Sequence, residues 1–203
     1  MRQSSAPRSK ARQRILDAAY DLFSRHGVRG VGIDAVVAHS GVARMTLYRH
    51  FGSKNALVLE FLRQREQKWT IGWLQREVEQ RAATEAERLL AIFDVFNEWF
   101  HSDRFEGCSF INVLLESPDV GSPAHVASRE CLANIRTFLE TLAREAGIVE
   151  HEAFARKWHI LMKGSIVAAQ EGDLEAALRA QEMGRLILQQ ALPVARADAS
   201  LPR

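Results

Sequence analysis

Between its two tails the chain repeats apolar residues every three or four positions and nowhere alternates them over the length of a strand, a pattern that commits it to packing helix against helix. Ile15, Ala18, Ala19, Leu22 and Phe23 form the first such face, and Gly27, after Arg25-His26, is a helix stop. Short helices fit 33–39 and 44–50 on either side of Gly41. Ser53 can cap a long helix from about 54 to 80, and Thr84 the next, with Leu89, Leu90, Phe93, Phe96 and Phe100 on its core side. A turn over Asp103–Gly107 and a short apolar helix (Phe110, Ile111, Val113, Leu114) follow. Ser122-Pro123 opens a helix running to Gly147, and final helices fit 151–171 and 173–192. The expected fold class is all-α, and 1–9 and 194–203 read as frayed tails.

The formal net charge of +2 conceals a division. Residues 1–60 hold ten Lys/Arg against four Asp/Glu, a balance of +6, whereas the remainder holds seventeen against twenty-one, or −4. A basic front and a mildly acidic back suggest an anion-binding module joined to a different one. No linker is visible, so the boundary is placed at the start of the long helix: 1–55 as one domain and 56–203 as the other. No apolar run approaches the ~20 residues needed to span a bilayer, and the basic N-terminus has no secretory character, so no membrane partner is expected. Two cysteines, Cys108 and Cys131, make neither a disulfide framework nor a four-thiolate metal site and point to a reducing cytoplasm.

Residues 33–51, IDAVVAHSGVARMTLYRHF, carry the chemistry. Two short helices around a glycine turn are the pattern of a helix-turn-helix. Val36, Val37, Val42 and Leu47 would pack the two helices together, and Leu22 and Phe23 would close a three-helix core. The second helix is then free to enter a DNA major groove. Arg44 can bond guanine O6 and N7 bidentately; Thr46, Tyr48 and His50 offer donors to phosphates; Arg49 and Lys54 add charge, Lys54 at a helix start that already favours an anion. Met45 completes the candidate DNA-facing set. Spacing alone leaves open a plain helical hairpin with solvated basic residues.

The segment resembles the N-terminal domain of the TetR family of bacterial transcriptional regulators. The resemblance is carried by Ile15-Leu16-Asp17-Ala18-Ala19, Leu22-Phe23, Gly27, Ile33, Val36, Gly41-Val42, Thr46-Leu47-Tyr48, His50-Phe51, Ser53-Lys54 and Leu57, about a quarter of the chain. Gly32 stands where the family often has a threonine that caps the second helix and contacts a phosphate. Ala43 replaces a capping serine, a change that costs about 1 kcal/mol unless compensated. Val37 replaces a small alanine. The resemblance implies operator binding and a back domain for ligand binding and dimerisation, hence a homodimer; no enzymatic activity, cofactor or metal is expected. It gives no ligand.

Further expectations come from the residues of the back domain. A pocket for an unknown apolar or aromatic effector is expected beside Trp73, Phe93, Phe96, Trp99, Phe100, Cys108, Phe110, Ile111, Leu114, Trp158 and Met162, although aromatics at helical spacing are more often core. The last two helices suit a dimer interface built from Phe154, Trp158, Leu161, Ile166, Leu174, Leu178, Met183, Ile187 and Leu188, the alternative being an intramolecular hairpin. The functional expectation is a repressor released from a palindromic operator by that effector. One rival is a thiol sensor through Cys108 and Cys131. The other is an enzyme, for which the scattered histidines, His151 and His159 included, offer no metal spacing and no phosphate loop or nucleophile elbow appears.

Overall fold

The structure is a computed structural model, and it describes residues 6–192. Of the tails expected at 1–9 and 194–203, residues 1–5 and 194–203 lie outside the described residues, whereas residues 6–9 belong to the first helix. Every regular element among the described residues is helical: α1 (Ala6–Gly30), α2 (Ile33–Ser40), α3 (Arg44–Phe51), α4 (Lys54–Arg65), a π-helical segment (Glu66–Gln75), α5 (Arg76–Arg81), α6 (Glu85–Phe100), α7 (Ser109–Glu116), α8 (Pro123–Glu145), α9 (His151–Gln170) and α10 (Ala176–Ala191). No described helix is long and apolar enough to cross a membrane.

The helices gather into two compact units. One holds the described residues up to Gln75 together with Arg104–Asn134; the other holds Arg76–Asp103 and the described residues from Ile135 onward.

In the first unit α1, α2 and α3 pack with α4, and α7 lies against α1 and α4. Ile15, Ala19, Val36, Leu47, Leu57 and Phe61 are buried at this centre. Phe61 meets Phe23 and Tyr20 edge-on, with centroids 5.5 and 5.7 Å apart. Gly27 breaks α1 at φ 73°, ψ 160°. A Cβ there would collide with the Glu116 carboxylate of α7, whose Oε2 accepts the Arg29 N–H at 2.7 Å.

The long helix expected over 54–80 is continuous but changes register. Its buried positions run Phe61, Arg65, Thr70, Leu74, Val78, with a five-residue step in the middle. An α-helix steps by three or four, whereas a π-helix bonds i to i+5 and steps by more. A Cβ on Gly72 would lie 2.7 Å from the carbonyl oxygen of Gln67, five residues back, so this register needs a residue with no side chain at position 72.

The second unit is built on α6, α9 and α10, with α5 against α6. Thr84 starts α6 with a reciprocal cap: its Oγ1 accepts the Glu87 N–H while Glu87 Oε2 accepts the Thr84 N–H. Gln181 of α10 donates to Leu90 O at 3.1 Å and Asp94 Oδ1 at 2.7 Å on α6.

Candidate DNA-recognition surface

The recognition helix α3 is held by backbone geometry rather than by side-chain caps. Gly41 ends α2 in the left-handed region (φ 61°), its N–H donating to Val37 O at 3.0 Å. Arg14 of α1 reaches Gly41 O at 3.4 Å, tying the turn to the first helix. Gly32 and Ala43, the two departures from the family pattern at cap positions, both lack a side-chain cap bond. The first turn of α3 closes instead through the Ala43 carbonyl, which accepts from Thr46 at 2.8 Å and Leu47 at 3.2 Å. Leu47 and Phe51 anchor the helix inward.

The opposite side of α3 carries the predicted DNA-facing residues. Arg44 is its first residue, where a recognition helix brings side chains to base edges. Met45 is 79% exposed, a large apolar side chain left in water beside a basic one. Tyr48 and Arg49 are exposed, Thr46 and His50 half-buried. Lys54 opens α4 next to the Ser53 cap, whose Oγ accepts the Ala56 N–H at 3.1 Å.

Sequence reasoning missed the partner of Arg44. Asp34, in the first turn of α2, lies 2.8 Å from its guanidinium, and the Tyr48 ring lies 5.9 Å from the guanidinium carbon. Tyr48 and then Asp34 raise the Arg44 pKa further above its already high value. The only hint in the sequence was an acid in the first turn of a helix, which is common for dipole reasons alone. Arg44 is thus oriented but remains largely exposed, because one exposed carboxylate holds it only weakly.

The effector candidates divide between the units. Trp73, Cys108, Phe110, Ile111 and Leu114 fall in the first; Phe93, Phe96, Trp99, Phe100, Trp158 and Met162 fall in the second. The second group fills the core of its own unit. Phe93 meets Trp158 at 5.4 Å between centroids, and Phe96 meets Trp99 and Phe100 at 5.7 Å. Gly184 of α10 admits Trp158 so closely that a Cβ would sit 2.9 Å from the indole. These rings pack against one another.

Among the predicted dimer residues, Phe154, Trp158, Ile166 and Leu188 are buried within the single chain, Trp158 completely, and so offer little or no further surface to a partner. Leu174, Leu178 and Met183 are exposed, and Leu161 and Ile187 half-buried. Exposed Ile160 and Val167 on α9 were not foreseen. An open groove of about 370 Å³ lies near the start of α9 and the end of α10, lined by Ile148, Val149, Phe154, Lys157, Ile187 and Gln190.

The comparisons agree with this architecture. The family model described as "Bacterial regulatory proteins, tetR family" matches residues 15–61. The chain is 26% identical to the HTH-type transcriptional activator FasR of Mycolicibacterium smegmatis over 75% of its own length and 68% of that protein. It is 22% identical to the HTH-type transcriptional regulator YjdC of Escherichia coli over 84% and 91% of the two lengths. A crystal structure of a TetR-family transcriptional regulator from Streptomyces coelicolor superposes with a TM-score of 0.81 at 26% identity, covering 91% of this chain and 97% of that one. Residues 15–61, which span most of α1 through much of α4, thus match the DNA-binding domain of the TetR family of helix-turn-helix transcriptional regulators, and the chain over most of its length is similar to a solved member of that family.

Proposed function

We propose that the protein is a repressor that binds a palindromic operator as a homodimer and releases it when a small molecule with an apolar or aromatic body binds. Residues 1–55 serve as the DNA-binding module and 56–203 carry effector binding and dimerisation. The observation that carries this reading is the solvent face of α3, where Arg44 and Met45 stand at the helix start with Tyr48 one turn on. Arg44 suits a guanine edge and Met45 the apolar methyl of a thymine, so the pair reads bases while Tyr48, His50 and Lys54 take phosphates. A dimer gives two such helices, placed one turn of DNA, ~34 Å, apart.

The dimer face proposed is the exposed apolar set Ile160, Val167, Leu174, Leu178, Met183 and Leu186 of the C-terminal part of the chain. The effector reading is preferred to the thiol reading because burial, with Glu66 and Glu130 beside it, pushes the Cys131 thiol up to about 12, leaving almost no thiolate at neutral pH.

Selection of operator fragments by the purified protein, followed by transcription in vitro from the selected promoter, tests the proposal. Repression predicts less transcript as protein is added. The name of the similar protein FasR favours activation as a second reading, and more transcript on addition would establish it in place of repression.

A further inference from the structure

Among the described residues, Arg65, the last residue of α4, is the one Lys, Arg, Asp or Glu that is buried. It is 7% exposed, yet its one hydrogen-bond partner is neutral: its Nη1 donates to the Tyr20 hydroxyl at 3.0 Å. The guanidinium carbon otherwise faces aromatic rings, 5.6 Å from Tyr20 and 5.9 Å from Trp69. The acids nearby in sequence are engaged elsewhere. Glu66 accepts from Asn134 at 2.8 Å, Glu60 pairs with Arg12 and Arg63, and Asp17 accepts from Gln13. A second cation, Lys68, stands 4.7 Å over the same Tyr20 ring. Two buried hydroxyls on the flanking turns, Ser24 and Thr70, have no hydrogen-bond partner. Ser24 is one turn along α1 from Tyr20, and Thr70 lies five residues beyond Arg65, one turn in the π register.

A buried cation is normally paired, because the attraction of an anion must offset its lost hydration. Here no carboxylate among the described residues forms an ion pair with Arg65. DNA is a poor candidate to supply it: eleven residues along the helix from Lys54, at 1.5 Å each, put Arg65 roughly 16 Å from the DNA-facing end.

We propose that Arg65 and Lys68 receive the anionic group, a carboxylate or phosphate, of the small molecule that regulates this protein, with Tyr20 and Trp69 as aromatic walls and Ser24 and Thr70 as neutral donors. The regulatory part rests on the effector role proposed above; the anion site does not. Such an anion would bridge α1 and α4, the helices that hold α3 in place.

The test titrates wild-type protein with sodium benzoate and, separately, with sodium phosphate against sodium chloride at equal ionic strength, reading thermal stability and tryptophan fluorescence. A saturable rise in Tm with benzoate assigns a carboxylate, and one with phosphate a phosphoryl group. Either affinity should fall at least about tenfold in Arg65→Gln and about threefold in the exposed variant Lys68→Gln. No saturable response to either anion, or one undiminished in Arg65→Gln, overturns the site. Arg65→Met keeps the test independent of that variant's folding: in chloride its Tm should equal or exceed the wild-type value, because an unpaired buried charge has been removed. A Tm lowered by several degrees would instead make Arg65 a structural anchor for Tyr20. Operator binding separates the two readings. Anion binding with unchanged operator affinity keeps the site and removes its effector role, whereas weaker operator binding by Arg65→Gln without any anion makes Arg65 a DNA contact.

Discussion

Arg44 stands at the first position of α3, oriented by Asp34 at 2.8 Å, so its removal tests base reading with little effect on folding. Arg44→Ala should weaken operator binding roughly 10- to 100-fold and flatten the preference at one base position, as measured by competition with single-base operator variants. Equal loss on every sequence would make Arg44 a phosphate contact. His159 makes a different prediction. Burial, followed by the nearby Lys163 and Arg136, pushes its pKa down to about 3, from an ordinary 6.5. The unfolded chain therefore takes up a proton at this site below pH 6.5 that the folded chain refuses until about 3. Stability from this group is complete above pH 6.5 and is lost as pH falls toward 3, about 2–3 kcal/mol by pH 4.5. Denaturant unfolding of His159→Leu should show a shallower loss over that window; an unchanged slope would exclude His159 as its source. At this scale the sequence is legible for which side chains of α3 leave the core: Arg44, Met45 and Tyr48 are exposed, as their spacing against Leu47 and Phe51 predicts. It was not legible for Trp158 or Phe154, because a helix apolar around much of its girth does not say which stripe faces its own chain and which a partner.

The helices themselves could be read almost to the residue wherever glycine, proline or a capping side chain marks an end. Thr84, with Glu87 three residues on, is such a mark, as is Ser53 before Lys54. The π register at Glu66–Gln75 is not legible from Trp69 and Trp73, which stand four residues apart as an α-helical face would have them. The signal lay in the buried series itself, in the step of five from Arg65 to Thr70. Gly72 gives the test. Gly72→Ala would place a methyl group 2.7 Å from the Gln67 carbonyl oxygen, so it should lower stability by about 1–3 kcal/mol even though alanine is the better helix former. A stabilised variant in thermal unfolding would show that the segment relaxes readily to α-helical register. Gly27 is bound more tightly still: its positive φ and the Glu116 carboxylate against it leave no room for alanine.

For the molecule as a whole, charge gave the first division, +6 over residues 1–60 against −4 beyond. Contacts divide the chain differently: Arg104–Asn134, α7 included, joins the unit that contains the helix-turn-helix. Charge in the sequence marks what meets phosphate, whereas packing joins residues that are distant along the chain, and no local pattern reveals that α7 lies against α1. The exposed Ile160 and Met183 belong to this scale because their partner is proposed to be a second chain. The double variant Ile160→Asp/Met183→Glu should sediment as a monomer and lose most of its affinity for a two-half-site operator, while keeping the helix content of the wild type. A dimer that survives both charges would place the interface elsewhere. The central claim, that α3 reads DNA, is tested most directly by fluorescence anisotropy of the selected operator against a scrambled duplex across a salt series. The account predicts that log K falls linearly with log salt on both duplexes, that the operator binds at least about a thousandfold more tightly, and that Arg44→Ala removes much of that difference while Lys54→Ala reduces the salt slope by about one on both. Equal affinity for the two duplexes, or a preference untouched by Arg44→Ala, would contradict it.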